Sequence, residues 1–179
     1  LGAQTALDLA KANPAHIFLL ARSAPKIQPV IDEITKISPT TKAIFISVSL
    51  DDLESVRAAA TQISNQLPHG KIDILINNAG VVPSGAIGTT MDDEIAAALA
   101  LNVAAPIALT RDLLDSLIVS RGQVVNMGSI FGDIAFPYFA TYSASKFALR
   151  GFSDALRREL APQGVGVTYV APRATRTDA

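Results

Sequence analysis

The sequence predicts an α/β fold, a doubly wound parallel sheet in three α/β/α layers, and three observations carry that prediction. Short runs rich in Ile, Val and Leu alternate with longer segments of helical period. The short runs are apolar almost throughout, as strands buried on both faces must be. Pro14, Pro39, Pro68 and Pro162 follow four of the helical segments, where a residue without an amide donor ends a helix.

Taken in order, Leu1-Gly2 opens directly onto a helix at 3–12, so the pattern starts in the middle of a β-α unit and the sheet is expected to lack its first strand. A strand at 16–21, a helix at 26–37, a strand at 43–48, a helix at 53–66 and a strand at 72–77 follow. Helices at 92–103 and 110–120, a strand at 122–127, a helix at 143–160 and a strand at 166–170 complete the alternation. There is no internal repeat or linker, so residues 1–179 read as a single, partial domain. A final strand is expected to be missing as well.

Composition removes several classes of function. A net charge of -1 gives no reason to expect nucleic acid or a charged membrane surface as partner. The chain has no cysteine, and its two histidines, His16 and His69, lie far apart, so no metal site is expected. Apolar residues reach 49%, but in short runs broken before a membrane-spanning length. No membrane span is expected, and the chain reads as a soluble, cytoplasmic protein.

The most informative residues lie near the carboxyl end. Tyr142 and Lys146 stand four apart in Tyr-Ser-Ala-Ser-Lys, and Ser129 precedes the tyrosine by thirteen residues at the end of an apolar run. On a helix, i and i+4 share a face. A free phenol has a pKa of ~10, so acid–base work near neutrality needs an adjacent positive charge, which Lys146 can supply. Ser129 alone reads equally well as a turn hydroxyl or helix cap. Asn77-Asn78-Ala79-Gly80 follows a strand, where ligands bind in open α/β sheets, although alone it reads as a plain turn.

Taken together, these residues resemble the short-chain dehydrogenase/reductase family. The resemblance rests on Asn77-Asn78-Ala79-Gly80, Leu101-Asn102-Val103, Ser129, Tyr142 to Lys146, the segment 147–156 and Ala171-Pro172, in that order along essentially the whole chain. It implies a Rossmann-like fold and an oxidoreductase that moves a hydride between a nicotinamide cofactor and a carbonyl or secondary alcohol. Tyr142 would be the general acid/base and Ser129 would hydrogen-bond the substrate oxygen. Lys146 would lower the tyrosine pKa and bind the nicotinamide ribose, and Asn102 would hold a water in a proton relay. The bland alternative for Asn102 is a polar kink within a helix.

Cofactor choice is read from Ala21-Arg22-Ser23 at the end of the second family strand. Ala21 stands where NAD-preferring sheets place a carboxylate, and Arg22 follows it, so NADP(H) is preferred and NAD(H) stays open. Ser23 would be a second phosphate contact. The remaining cofactor contacts implied by the family are Gly2, Ser49, Leu50, Asn78, Ala79, Gly80, Pro172 and Thr177, besides Tyr142 and Lys146.

Three departures limit the transfer. The Gly-rich phosphate loop survives only as Gly2. Ser49 stands where the family often has an aspartate near the adenine, which leaves adenine contacts there to the backbone. The usual Pro-Gly is Pro172-Arg173.

Phe131, Phe136, Pro137 and Phe139 lie where the family builds one wall of its substrate pocket, which points to an apolar small-molecule carbonyl or alcohol. The helices at 110–120 and 143–160 resemble those of the family's dimer, so a homodimer or homotetramer is expected. The rival readings are a non-catalytic, redox-sensing nucleotide binder and an inactive, unstable fragment of the enzyme.

Overall fold

The computed structural model describes residues 1–173. Five parallel strands form where the apolar runs predict them: β1 His16–Ala21, β2 Lys42–Ser47, β3 Ile74–Asn77, β4 Gln123–Met127 and β5 Gly166–Val170. They make two sheets. β1 pairs with β2, while β3, β4 and β5 pair in that order. Among the described residues no strand joins β1 to β3, and the expected lack of a first strand shows as this break.

The helices are α1 Gly2–Ala10, α2 Ala24–Ile37, α3 Leu53–Ser64, α4 Asp92–Leu99, α5 Ala105–Asp112, α6 Leu114–Ser120 and α7 Ala140–Leu160. Side-chain alternation along β1 sends Ile17 and Leu19 against α1 and α2, with Ala6, Ala10 and Ile34 buried there. Phe18 and Leu20 face the other way, onto Val56, Ala59, Ala60 and Ile63 of α3 and Ala105, Ala108 and Leu109 of α5. That cluster also takes in Leu75 of β3, so α3 and α5 bridge the break on one face. Each fully buried Ile, Val or Leu in it stabilises the fold by about 1.5–3 kcal/mol.

On the same side of the three-stranded sheet, Val124 and Val167 pack against Leu156 and Leu160 of α7 and Leu117 of α6. Residues of the opposite pleat, such as Ile74 at 49% exposed, are left open by the described elements. Asn77, Asn126 and Thr110 are buried among these apolar layers. Asn77 Nδ2 donates to Asn126 Oδ1 at 2.8 Å and to Thr110 Oγ1 at 3.3 Å, and Asn126 Nδ2 donates to Ser153 Oγ of α7 at 2.9 Å. This polar chain ties the carboxyl ends of β3 and β4 to α5 and α7.

Two expectations need correction. The helices expected at 92–103 and 110–120 are instead one continuous helical stretch, Asp92–Asp112, followed after Leu113 by α6. Residues Ala100–Ala104 form a π-helical turn inside it. Pro106 lies two residues beyond that turn, and the wider i to i+5 pattern absorbs a residue that would otherwise break the ladder. By length and composition this stretch is also long enough to cross a membrane, against the expectation that every apolar run stops short. In the fold it packs into the core through α5 and carries a buried asparagine, as a core helix does.

Candidate active site

The site lies at the carboxyl ends of the strands, where chain reversal gathers loops from distant parts of the sequence. Ser129 follows β4 in extended conformation, is 7% exposed and caps a 3-10 turn, Ile130–Gly132, by accepting from the Phe131 amide at 3.2 Å. Its Oγ is thereby engaged as acceptor. Its hydroxyl hydrogen is donated to no other group among the described residues.

α7 starts three residues earlier than periodicity predicts, at Ala140, which places Tyr142 in its first turn. Tyr142 and Lys146 are 8% and 5% exposed, and the lysine Nζ stands 5.7 Å from the tyrosine ring centroid. Lys146 Nζ donates to the Met127 carbonyl at the end of β4, at 2.9 Å. Burial pushes the lysine down to about 8 from 10.5, because an ammonium loses hydration inside the fold. No described residue hydrogen-bonds the Tyr142 hydroxyl.

Asn102, 1% exposed, occupies the π-helical turn. Its Oδ1 accepts from the Val81 amide while Nδ2 donates to the Val81 carbonyl and to Ser145 Oγ, each at 2.9 Å. Ser145 in turn donates to the Tyr142 carbonyl at 2.7 Å. The asparagine therefore pins the segment after Gly80 against α7. A methyl at Gly80 would lie 2.7 Å from Asn102 Oδ1 and 3.7 Å from Lys146 Nζ, so Gly80, Asn102 and Lys146 meet at one point.

The residues proposed for a cofactor fall into groups along the same edge. Gly2 starts α1 against the Asn78 amide, and a Cβ there would lie 2.7 Å from Asn78 Nδ2. Ala79 and Gly80 are exposed beside it. At the end of β1, Arg22 is exposed, and half-buried Ser23 stands at the N-cap of α2 without a side-chain capping hydrogen bond among the described residues. Ser49 and Leu50 are less available than expected. The Ser49 hydroxyl is spent on Asp51, and Leu50 packs against the α3 core.

Asp51 was not anticipated at this end of the site. Its carboxyl is held below the usual range chiefly by the Ser49 hydroxyl and, to a smaller extent, by nearby Arg22. Pro172 is half-buried, and its carbonyl accepts from Ile130 N at 3.4 Å, which fastens the chain after β5 to the Ser129 loop. Thr177 lies outside the described residues.

Beside Tyr142 an aromatic wall forms. Phe131 packs edge-on or tilted at 5.0 Å from Phe136, 4.9 Å from Phe139 and 5.4 Å from Tyr142 between ring centroids. Next to it, Pro83, Ser84, Gly85, Tyr138 and Thr141 line a small hollow. Tyr138 takes a left-handed φ of 66°, and its carbonyl accepts from Gly85 N at 2.8 Å, so one hydrogen bond closes the rim across a strained residue.

The short chain dehydrogenase profile matches residues 1–179. The chain belongs to the short-chain dehydrogenase family. A Dehydrogenase/reductase SDR family member 7B of Xenopus laevis is 35% identical over 172 residues, covering 93% of this chain and 53% of the relative. The chain thus spans about half the length of the curated relatives it matches. Among solved structures, a metagenomic short-chain oxidoreductase in complex with NADP superposes with a TM-score of 0.87 at 32% identity, over 96% of this chain and 76% of that one. A short-chain dehydrogenase from Sphingobium yanoikuyae in complex with NADPH gives 0.89 at 27% identity, over 99% and 68%.

For a short-chain dehydrogenase, the fold unites the four expected residues Ser129, Tyr142, Lys146 and Asn102 around the ends of β3 and β4. Sequence reasoning missed Ser145, Asp51, the Tyr138–Gly85 clasp and Tyr169. The Tyr169 hydroxyl bonds both backbone groups of Ser129. Ser145 lay inside the recognised pentapeptide, but only the fold shows which way its hydroxyl points. Nothing in the local sequence marks the others.

Proposed function

We propose that the protein is an NADP(H)-dependent oxidoreductase that reduces a small, apolar ketone or aldehyde, or oxidises the matching secondary alcohol. The observation that carries this reading is the desolvated Lys146 ammonium held 5.7 Å from the Tyr142 ring, beside Ser129. Bound nicotinamide supplies or accepts the hydride. Arg22 and the Ser23 hydroxyl beside it suit a 2′-phosphate, while Lys146, close to Gly80, suits the ribose hydroxyls beside the nicotinamide. The phosphate-cradling part of the described site is small, with Gly2 and Asn78 as its members.

In reduction, Tyr142 gives its proton to the substrate oxygen as hydride reaches the carbonyl carbon and the C=O π bond opens. Ser129 donates its free hydroxyl hydrogen to that same oxygen, where negative charge develops. Lys146, mostly charged at neutrality, favours proton release by the phenol through its proximity. Pro106 carries no amide hydrogen, so the Asn102 carbonyl lacks its ordinary α-helical donor four residues on. With its side chain engaged by Val81 and Ser145, Asn102 would hold a relay water near Lys146 through that carbonyl.

The aromatic wall of Phe131, Phe136 and Phe139 supports an apolar substrate. Exposed Val119 of α6 and Phe147 of α7, at 58% and 44%, support assembly into a homodimer or homotetramer through these helices, readable by light scattering. The activity test is NADPH oxidation by the full-length protein against a panel of carbonyls, with NADH in parallel. Turnover with NADPH is expected. Tight NADPH binding with no turnover of any carbonyl would move the assignment to a redox-sensing binder.

A further inference from the structure

We propose that Tyr169 is a positioning residue that holds the Ser129 backbone, and through it the Ser129 hydroxyl, in register with Tyr142. The proposal rests on the catalytic reading of Ser129 given above. Tyr169 lies on β5 opposite Asn126 of β4, and its side chain leaves the sheet on the face that carries Val124, Val167 and α7. The next residue on that face, just beyond β4, is Gly128. Across it the Tyr169 ring reaches the chain beyond the strand, and its hydroxyl accepts from Ser129 N at 3.2 Å and donates to Ser129 O at 3.1 Å.

These two bonds reach backbone groups that, by the alternation of a parallel ladder, point away from β5. Gly128 N donates to Val170 O at 2.7 Å and Ile130 N to Pro172 O at 3.4 Å, so the pairing with β5 uses the residues on either side of Ser129 and skips Ser129 itself. The phenol meets the Ser129 amide and shares the Ser129 carbonyl with the Gly132 amide, which donates to it at 2.9 Å, so strand, turn and Tyr169 together fix this residue. The hydroxyl is well suited to both tasks, since burial raises its pKa and keeps it protonated.

The surrounding glycines show how closely the brace is fitted. A Cβ on Gly128 would collide with the hydroxyl end of the Tyr169 ring, and one on Gly132 with the Tyr169 hydroxyl. The same Cβ on Gly132 would lie 2.9 Å from the Lys146 carbonyl. The turn after Ser129 is thus clasped between the phenol of β5 and the α7 backbone at Lys146, which fixes the separation between serine and the Tyr142–Lys146 pair. Arg150 of α7 adds a further tie, donating to the Gly132 carbonyl at 3.3 Å. If the ring merely filled core volume, phenylalanine would serve equally well.

The test is Tyr169→Phe in the full-length protein, with two readouts. Amide hydrogen exchange over residues 129–132 should quicken about tenfold, the scale of one lost hydrogen bond, while β4 keeps its protection. With a carbonyl that the parent reduces, kcat should fall about tenfold with KM for NADPH unchanged, and the same substitution should have no further effect in a Ser129→Ala background. Parent-like exchange over 129–132 overturns the proposal. So does a loss of kcat of equal factor in both backgrounds, which would mean that Tyr169 acts independently of Ser129. If the parent reduces no carbonyl, the functional reading fails, and hydrogen exchange alone still decides whether the phenol holds the Ser129 turn.

Discussion

At the end of the site proposed for proton transfer, Ser129, Tyr142, Lys146 and Asn102 are each 8% exposed or less, whereas at the end proposed for phosphate Arg22 is exposed and Ser23 makes no capping hydrogen bond among the described residues. The first end belongs to β3, β4 and α7 and is held by hydrogen bonds among buried groups. The second hangs on the free rim of the β1–β2 pair. Proton transfer needs a desolvated lysine and fixed donors, so it has to be built into the core. A long cation at a strand end can recognise phosphate without such preparation, because the ligand's charge orients it on binding. Preorganisation at one end and adaptability at the other predict different responses to substitution.

The largest effect is expected at the buried end, where Tyr142→Phe should lower carbonyl reduction by about 10²–10⁴-fold, the usual contribution of a general acid, with NADPH binding retained. Equal turnover in parent and variant would remove Tyr142 from the mechanism.

Burial of Lys146 gives a second, equilibrium signature. Its folded pKa of about 8 lies below the free value of 10.5, so below pH 8 the folded state carries the cost of a buried charge, and the unfolded state binds the proton more tightly. Stability should therefore rise between about pH 8 and 10.5, by up to about two orders of magnitude in the folding equilibrium, and flatten in Lys146→Met. Denaturant titrations across that range check the sign. A parent and variant with parallel profiles would show that the lysine is hydrated after all.

At the exposed end the effects should be selective and smaller. Arg22→Ala should weaken NADPH binding about 10–100-fold, the scale of charge-assisted hydrogen bonds, and leave NADH binding unchanged. Equal losses for both cofactors would place Arg22 away from the 2′-phosphate. The smallest effect belongs to Asp51→Asn. Removing an exposed carboxylate that competes with phosphate for Arg22 should tighten NADPH binding by at most a few fold at low salt and fade as salt is added.

Much of this was legible in the chain because the relevant signals are local. All five strands are apolar runs, and their ends were read to within two residues. Tyr142 and Lys146 share a helical face at a fixed spacing. The helical stretch 92–112 was misread as two helices because its π-helical turn has no signature in apolar periodicity, and it is this turn that lets Pro106 sit within the stretch. Ser49 could be named as a replacement for an acid, but not its bond to Asp51. Tyr169 reads as one more apolar strand residue until β5 is laid beside β4.

By itself, then, the sequence determined the alternation of strands and helices and singled out the residues proposed to move a proton and the cation proposed to meet a phosphate, since each depends on residue type and short-range spacing. The tertiary structure decided how those groups are tuned. It buried Lys146 deeply enough to lower its pKa, locked Asn102 onto Val81 and Ser145, and brought the Tyr169 phenol to both backbone groups of a serine forty residues away. Desolvation and hydrogen-bond geometry arise from contacts between segments distant in the chain, and such contacts exist only once the layers have packed.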